Sequence, residues 1–115
     1  MPKRPMNEAM LERVAARFRT LGEPMRLRLL QALESGEKTV GEMVALTAAS
    51  QPNVSQHLQE LFQAGLVGRR KAGTSVFYWI ADPLVFRLCD LVCTGTEVAV
   101  RNELEQLRGS AIRGK

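Results

Sequence analysis

Apolar residues recur every three or four positions along most of this chain, and only between Leu66 and Ile80 does the pattern give way to alternation. The first periodicity is that of helices with one buried face, the second that of strands. Asn7 can cap a first helix whose apolar face is Met10, Leu11, Val14, Ala15 and Phe18. A second helix starts near Pro24, since proline suits a first helical position, and runs to about Glu34 with Leu27, Leu30 and Leu33 inward. After a loop at Ser35-Gly36-Glu37-Lys38, Thr39 and Glu42 form a capping box. It opens a short helix through Leu46, with Val40, Met43 and Val44 toward the core. From Pro83 a last helix carries Leu84, Val85, Leu88, Leu91 and Val92. Thr94-Gly95-Thr96 weakens it, and Val98, Val100, Leu104 and Leu107 resume the pattern. Residues 1–6 read as a flexible arm and residues 109–115 as a frayed tail, within one domain spanning 1–115.

The remaining helix, from about Gln51 to Ala64, organises the rest. Ser50 is a good N-cap, Pro52 costs nothing in the first turn, and Gly65 can close the helix in a left-handed conformation. Val54, Leu58, Leu61 and Phe62 form its apolar stripe, while Gln51, Asn53, Ser55, Gln56 and Gln59 fall elsewhere on the cylinder. Such amides have a specific use. Asn and Gln make paired hydrogen bonds to the major-groove edge of adenine, and Ser serves several bases. A merely solvated polar face has the same pattern, so the residues after Gly65 decide between the two.

Leu66 to Lys71 and Ser75 to Ile80, joined through Ala72-Gly73-Thr74, read as a two-stranded hairpin. Its near strand carries Arg69, Arg70 and Lys71 with no acid among them, and Thr74 sits at its tip. A polar helix and then a basic hairpin is a layout that docks on DNA. Gln51, Asn53, Ser55 and Gln56, with Gln59 beside them, are the candidates for base contact, and Arg69, Arg70, Lys71 and Thr74 for the backbone. His57, the only histidine, suits a structural or phosphate-facing role better than base reading. Arg26 and Arg28 are further phosphate candidates, with surface salt bridges as the alternative.

The net charge of +4 and a pI near 9.6 suit a polyanionic partner. No Lys or Arg lies between Thr39 and Gly65, so phosphate contacts must come from the hairpin and the N-terminal half. Base reading and backbone holding are thereby divided between elements. No run reaches the length of a membrane span, and Met1 to Met6 lacks the apolar centre of a signal peptide, which points to the cytoplasm.

Three motifs in order make a resemblance specific. The chain resembles the ArsR/SmtB family of winged-helix bacterial repressors in Leu21-Gly22-Glu23-Pro24-Met25-Arg26-Leu27-Arg28-Leu29-Leu30 and in Ser55-Gln56-His57-Leu58-Gln59-Glu60-Leu61 with Ala64-Gly65-Leu66-Val67. The hairpin is similar to the family's wing, and the resemblance spans roughly Leu11 to Val92. It implies a mainly α fold with a β-hairpin: a winged helix-turn-helix of about five helices, dimerising through the N- and C-terminal helices. It also implies a homodimeric repressor on an imperfect inverted repeat of double-stranded DNA, one recognition helix per half-site.

Cys89 and Cys93, four residues apart, share one face of the last helix at a separation of roughly 6 Å. Two such thiols can bind a soft metalloid such as arsenite or react with an oxidant or persulfide, if a neighbour lowers their pKa. Packing as small hydrophobes in a dimer seam is the favoured alternative. Zinc is disfavoured, because two cysteines fall short of tetrahedral coordination unless two subunits each supply a pair. The Cys-x-Cys and carboxylate–histidine motifs of the family's metal sensors are missing, and no cofactor is expected. A second function class, a winged-helix module binding a protein through the same polar helix, predicts little response to salt. Catalysis is the weakest reading, since no nucleophile has a base at usable spacing.

Overall fold

A computed structural model of the chain describes residues 5–113, with side chains through Gly109. The expected arm and tail fall partly at 1–4 and 114–115, outside the described residues. The chain divides into two compact units, Met1–Asp82 and Pro83–Lys115.

In the first unit the order is α1 (Glu8–Leu21), α2 (Pro24–Leu33), β1 (Lys38–Thr39), α3 (Val40–Thr47), α4 (Gln51–Gln63), β2 (Val67–Ala72) and β3 (Ser75–Ile80). Its core is Leu29, Leu30 and Leu33 of α2, Met43 of α3, Val54, Leu58 and Leu61 of α4, and Leu66, Val67 and Tyr78 around the sheet. Burying each such side chain contributes about 1.5–3 kcal/mol. Leu27, expected inward, is 41% exposed, and Leu29 takes its place. The buried stripe of α2 therefore runs Leu29, Leu30, Leu33, one step round the helix from the expected one.

Capping sets the helix starts. Asn7 Oδ1 accepts from the Met10 amide at 2.9 Å, and Thr39 and Glu42 complete the reciprocal box that opens α3. The α3–α4 turn is only Ala48, Ala49 and Ser50, with Ala48 left-handed at φ 56° and Ser50 capping α4. At the far end of α4, Leu66 N–H bonds Leu61 O and Gly65 N–H bonds Phe62 O, both at 3.0 Å, with Gly65 at φ 77°. This is a Schellman closure, its apolar clasp made by the fully buried Leu61 and Leu66.

The sheet has three strands in the order β1-β3-β2, not the two expected. Lys38 pairs with Tyr78 and Thr39 with Phe77, so the residue assigned to a loop is half of an edge strand. Two residues are too few to show a period, and Thr39 already serves as a cap. Ala72 faces Ser75 across a two-residue turn whose first residue, Gly73, has φ 63°, as a tight hairpin requires. Gly68 lies opposite Trp79, and the indole occupies the space a Cβ at Gly68 would need.

The second unit is one helix, α5 (Leu84–Arg113), of 30 residues. It passes Thr94-Gly95-Thr96 unbroken, with Thr96 Oγ1 bonded back to Val92 O at 2.8 Å. It also continues through residues 109–113, expected to fray, because Gly109 is followed by Ser, Ala, Ile and Arg, none of which breaks a helix. Val85 is its buried residue among the described side chains.

Candidate nucleic-acid interface

Helix α4 carries three different faces. Val54, Leu58 and Leu61 are fully buried, while Gln51, Asn53 and Gln56 are exposed around its N-terminal half. Ser55, His57 and Gln59 are half-buried on the flanks. Since α4 begins at Gln51, its exposed amides occupy the first two turns, the part of a recognition helix that meets base edges.

The wing is tied to this helix. Arg69 donates from Nη1 to Gln59 Oε1, and its guanidinium lies over the Phe62 ring, 3.9 Å from the centroid. Arg70, one step along β2, pairs with Glu37 at 2.7 Å and lies 4.5 Å from the centroid of Phe77, its cross-strand partner. Lys71 and Thr74 are exposed at the tip, and Lys71 makes no ion pair among the described residues. Of the expected backbone contacts, two are thus held within the fold, and Gln59 shares its amide oxygen with the wing.

On the opposite flank His57 is 16% exposed in its side chain and turned to α2. Arg26 Nε donates to His57 Nδ1 at 3.1 Å, and the Glu23 carboxylate lies 3.7 Å from Nε2. Arg26 also donates from Nη1 to Thr20 O at 3.3 Å, and its amide donates to Glu23 Oε2 at 3.1 Å. Arg26, one of the two phosphate candidates weighed against a surface salt bridge, spends its guanidinium on Thr20 and His57 inside the domain; Arg28 is exposed. The sequence carries no signal for this link, because it joins residues 31 apart on different helices. The role of Phe62 was hidden likewise, since its spacing is that of a core residue.

Glu42 is held below the usual carboxylate range by the Thr39 amide and hydroxyl, and secondarily by Lys38. The thiols lie in the other unit. Burial, then Asp90, pushes the half-buried Cys89 up. The exposed Cys93 is pushed up first by its hydrogen bond to Glu97, then by that carboxylate's charge. Neither has the electropositive surroundings that make a reactive thiolate. Among the described residues no three of His, Cys, Asp and Glu gather closely enough to hold a metal ion, and no helix is long and apolar enough to cross a membrane.

Comparison with known proteins agrees with this layout. The model of bacterial regulatory proteins of the arsR family matches residues 23–68. A probable mercury resistance operon repressor from Streptomyces lividans is 41% identical over 85 residues, 74% of this chain and 66% of its own length. A biofilm growth-associated repressor from Agrobacterium fabrum is 37% identical over 75% of this chain and 74% of its own. In structure, the homodimeric winged helix-turn-helix DNA-binding domain of a Mycobacterium bovis protein superposes with a TM-score of 0.70 at 33% identity, covering 84% of this chain and 91% of that one. The chain belongs to the arsR family of bacterial regulatory proteins, and its winged helix-turn-helix is that of a DNA-binding transcriptional regulator.

Proposed function

We propose that the protein is a homodimeric repressor acting in the cytoplasm, a binding protein and not an enzyme, that occupies an inverted-repeat operator with one α4 per half-site. The observation that carries this reading is the exposed amide set Gln51, Asn53 and Gln56 in the first two turns of α4, beside a hairpin bearing three cations. In this reading Gln51, Asn53, Ser55 and Gln56 meet base edges, and Lys71 and Thr74 meet phosphates directly. The exposed Arg70–Glu37 pair is worth under about 1 kcal/mol, so Arg70 can exchange Glu37 for a phosphate. Arg69, Gln59 and His57 stand at the border of the interface and shape it.

Dimerisation is supported by apolar residues left exposed on α1 (Met10, Leu11, Phe18) and α5 (Leu84, Leu91, Val92, Val98, Val100, Leu104, Leu107), and by the homodimeric M. bovis relative. The repressor names of two relatives support the direction of regulation. The raised thiols argue against an oxidant or persulfide signal at Cys89 and Cys93. Titrating the protein onto its own promoter region across a salt series tests the reading. A steep fall in affinity, about 0.9 log units per log unit of salt for each phosphate held, is expected. Salt-independent binding, or binding only to a protein, would instead favour an interaction module.

A further inference from the structure

At about 100° per residue, His57 and Phe62 lie on opposite flanks of the buried Val54-Leu58-Leu61 stripe of α4. Each flank is gripped by one arginine from another element: Arg26 of α2 at the His57 imidazole, Arg69 of β2 at the Phe62 ring and the Gln59 amide. The apolar stripe alone fixes how deep α4 sits, but leucine and valine contacts are non-directional and tolerate small rotations about the helix axis. A directed hydrogen bond does not. Arg26 is the more constrained of the two. Its backbone amide is bound by the α2 cap residue Glu23 and its Nη1 by the last turn of α1 at Thr20 O, which leaves Nε aimed at Nδ1.

We propose that Arg26 is a positioning residue for operator recognition: acting through His57, it sets the rotation of α4 and so the angle at which Gln51, Asn53 and Gln56 meet the bases, without touching DNA itself. This rests on the base-reading role proposed above for α4. It separates Arg26 from a phosphate contact, because a positioning residue affects only the sequence-dependent part of affinity, whereas a phosphate contact affects binding to every duplex alike. It also requires an unprotonated Nδ1, since a protonated one cannot accept from Nε. The imidazole is faced by Arg26 of α2 and by the α2 cap residue Glu23, while Arg69 of the wing lies on the other flank.

The test is affinity for the operator and for an unrelated duplex, over a salt series, for the parent, Arg26→Lys, His57→Asn and His57→Leu. Lysine keeps the charge but replaces the fixed fork, whose Nη1 and Nε reach Thr20 O and His57 Nδ1, with a single nitrogen on a flexible stem. Asparagine keeps an acceptor near the place of Nδ1, and leucine keeps only bulk. Arg26→Lys and His57→Leu are expected to lose about tenfold or more on the operator with unrelated duplex and salt slope unchanged, while His57→Asn retains most of the parent's preference. An Arg26→Lys protein with the parent's preference, or one weakened equally on both duplexes, would overturn the proposal, as would a His57→Asn protein as poor as His57→Leu. If the parent itself shows no operator preference, the base-reading role of α4 fails first and Arg26 has nothing to position. Thermal unfolding midpoints of the four proteins keep a folding defect from passing for lost specificity.

Discussion

Helices α4 and α5 handle their apolar residues in opposite ways. In 13 residues α4 buries Val54, Leu58 and Leu61 completely, and both of its flanks are bonded to neighbouring elements. In 30 residues α5 buries Val85 and leaves Leu91 72% and Leu104 57% exposed, with Leu84, Val92, Val98, Val100 and Leu107 also in the open. A helix about 45 Å long does not leave so many leucine and valine side chains to water without cost. The contrast separates two tasks. Helix α4, the proposed reading helix, has its setting fixed by contacts within its own chain, whereas α5 carries apolar surface that the proposed dimer would bury.

The largest expected effect breaks the first half of that contrast. Leu58→Ala opens a cavity under α4 and is expected to cost about 2–5 kcal/mol in urea unfolding. A loss below about 1 kcal/mol would show that α4 is held by something other than its apolar stripe. The second half is broken on α5. A Leu91→Glu, Leu104→Glu double variant is expected to sediment as a monomer and to lose operator affinity with its secondary structure intact; a parent-like dimer would put the seam elsewhere.

Smaller effects are expected in the wing and at the thiols. Gly68→Ala drives a methyl into the indole of Trp79, and a destabilisation of about 1–3 kcal/mol with a shifted tryptophan emission is expected, since Trp79 is the sole tryptophan. Unchanged emission would show that the ring moves freely. The smallest effect concerns the thiols. Their raised pKa keeps Cys89 and Cys93 protonated through neutral pH, so alkylation by iodoacetamide is expected to be slow near pH 7. It should accelerate only as pH rises beyond the ordinary thiol range. Rapid labelling at neutral pH would restore a sensing role for the pair.

How much of the molecule was legible in the sequence depends on the range of each interaction. The boundaries of α4 were readable because Ser50, Pro52 and Gly65 act on adjacent backbone, and the α3 capping box spans four residues. The first hairpin strand was displaced by one residue, since the turn proper is Gly73-Thr74 and Leu66 instead gives its carbonyl to the amides of Ala81 and Asp82. The α3–α4 turn holds a left-handed alanine at Ala48, where composition gives no glycine to mark it. Strand β1, the inward position of Leu29 and the Arg26–His57 bond each depend on chain brought together by the fold. The base-reading candidates follow from residue type at positions off the apolar stripe of one helix, which is local; the engagement of Arg69 with Gln59 is not.

If α4 reads sequence while the wing holds backbone, Gln56→Ala must separate the two. Its affinity is to be measured against a panel of operators altered at single base pairs. Gln56→Ala is expected to tolerate substitutions the parent rejects at one position, by about 1–3 kcal/mol, with an unchanged salt slope. A Gln56→Ala protein with the parent's profile at every position would contradict that division of labour.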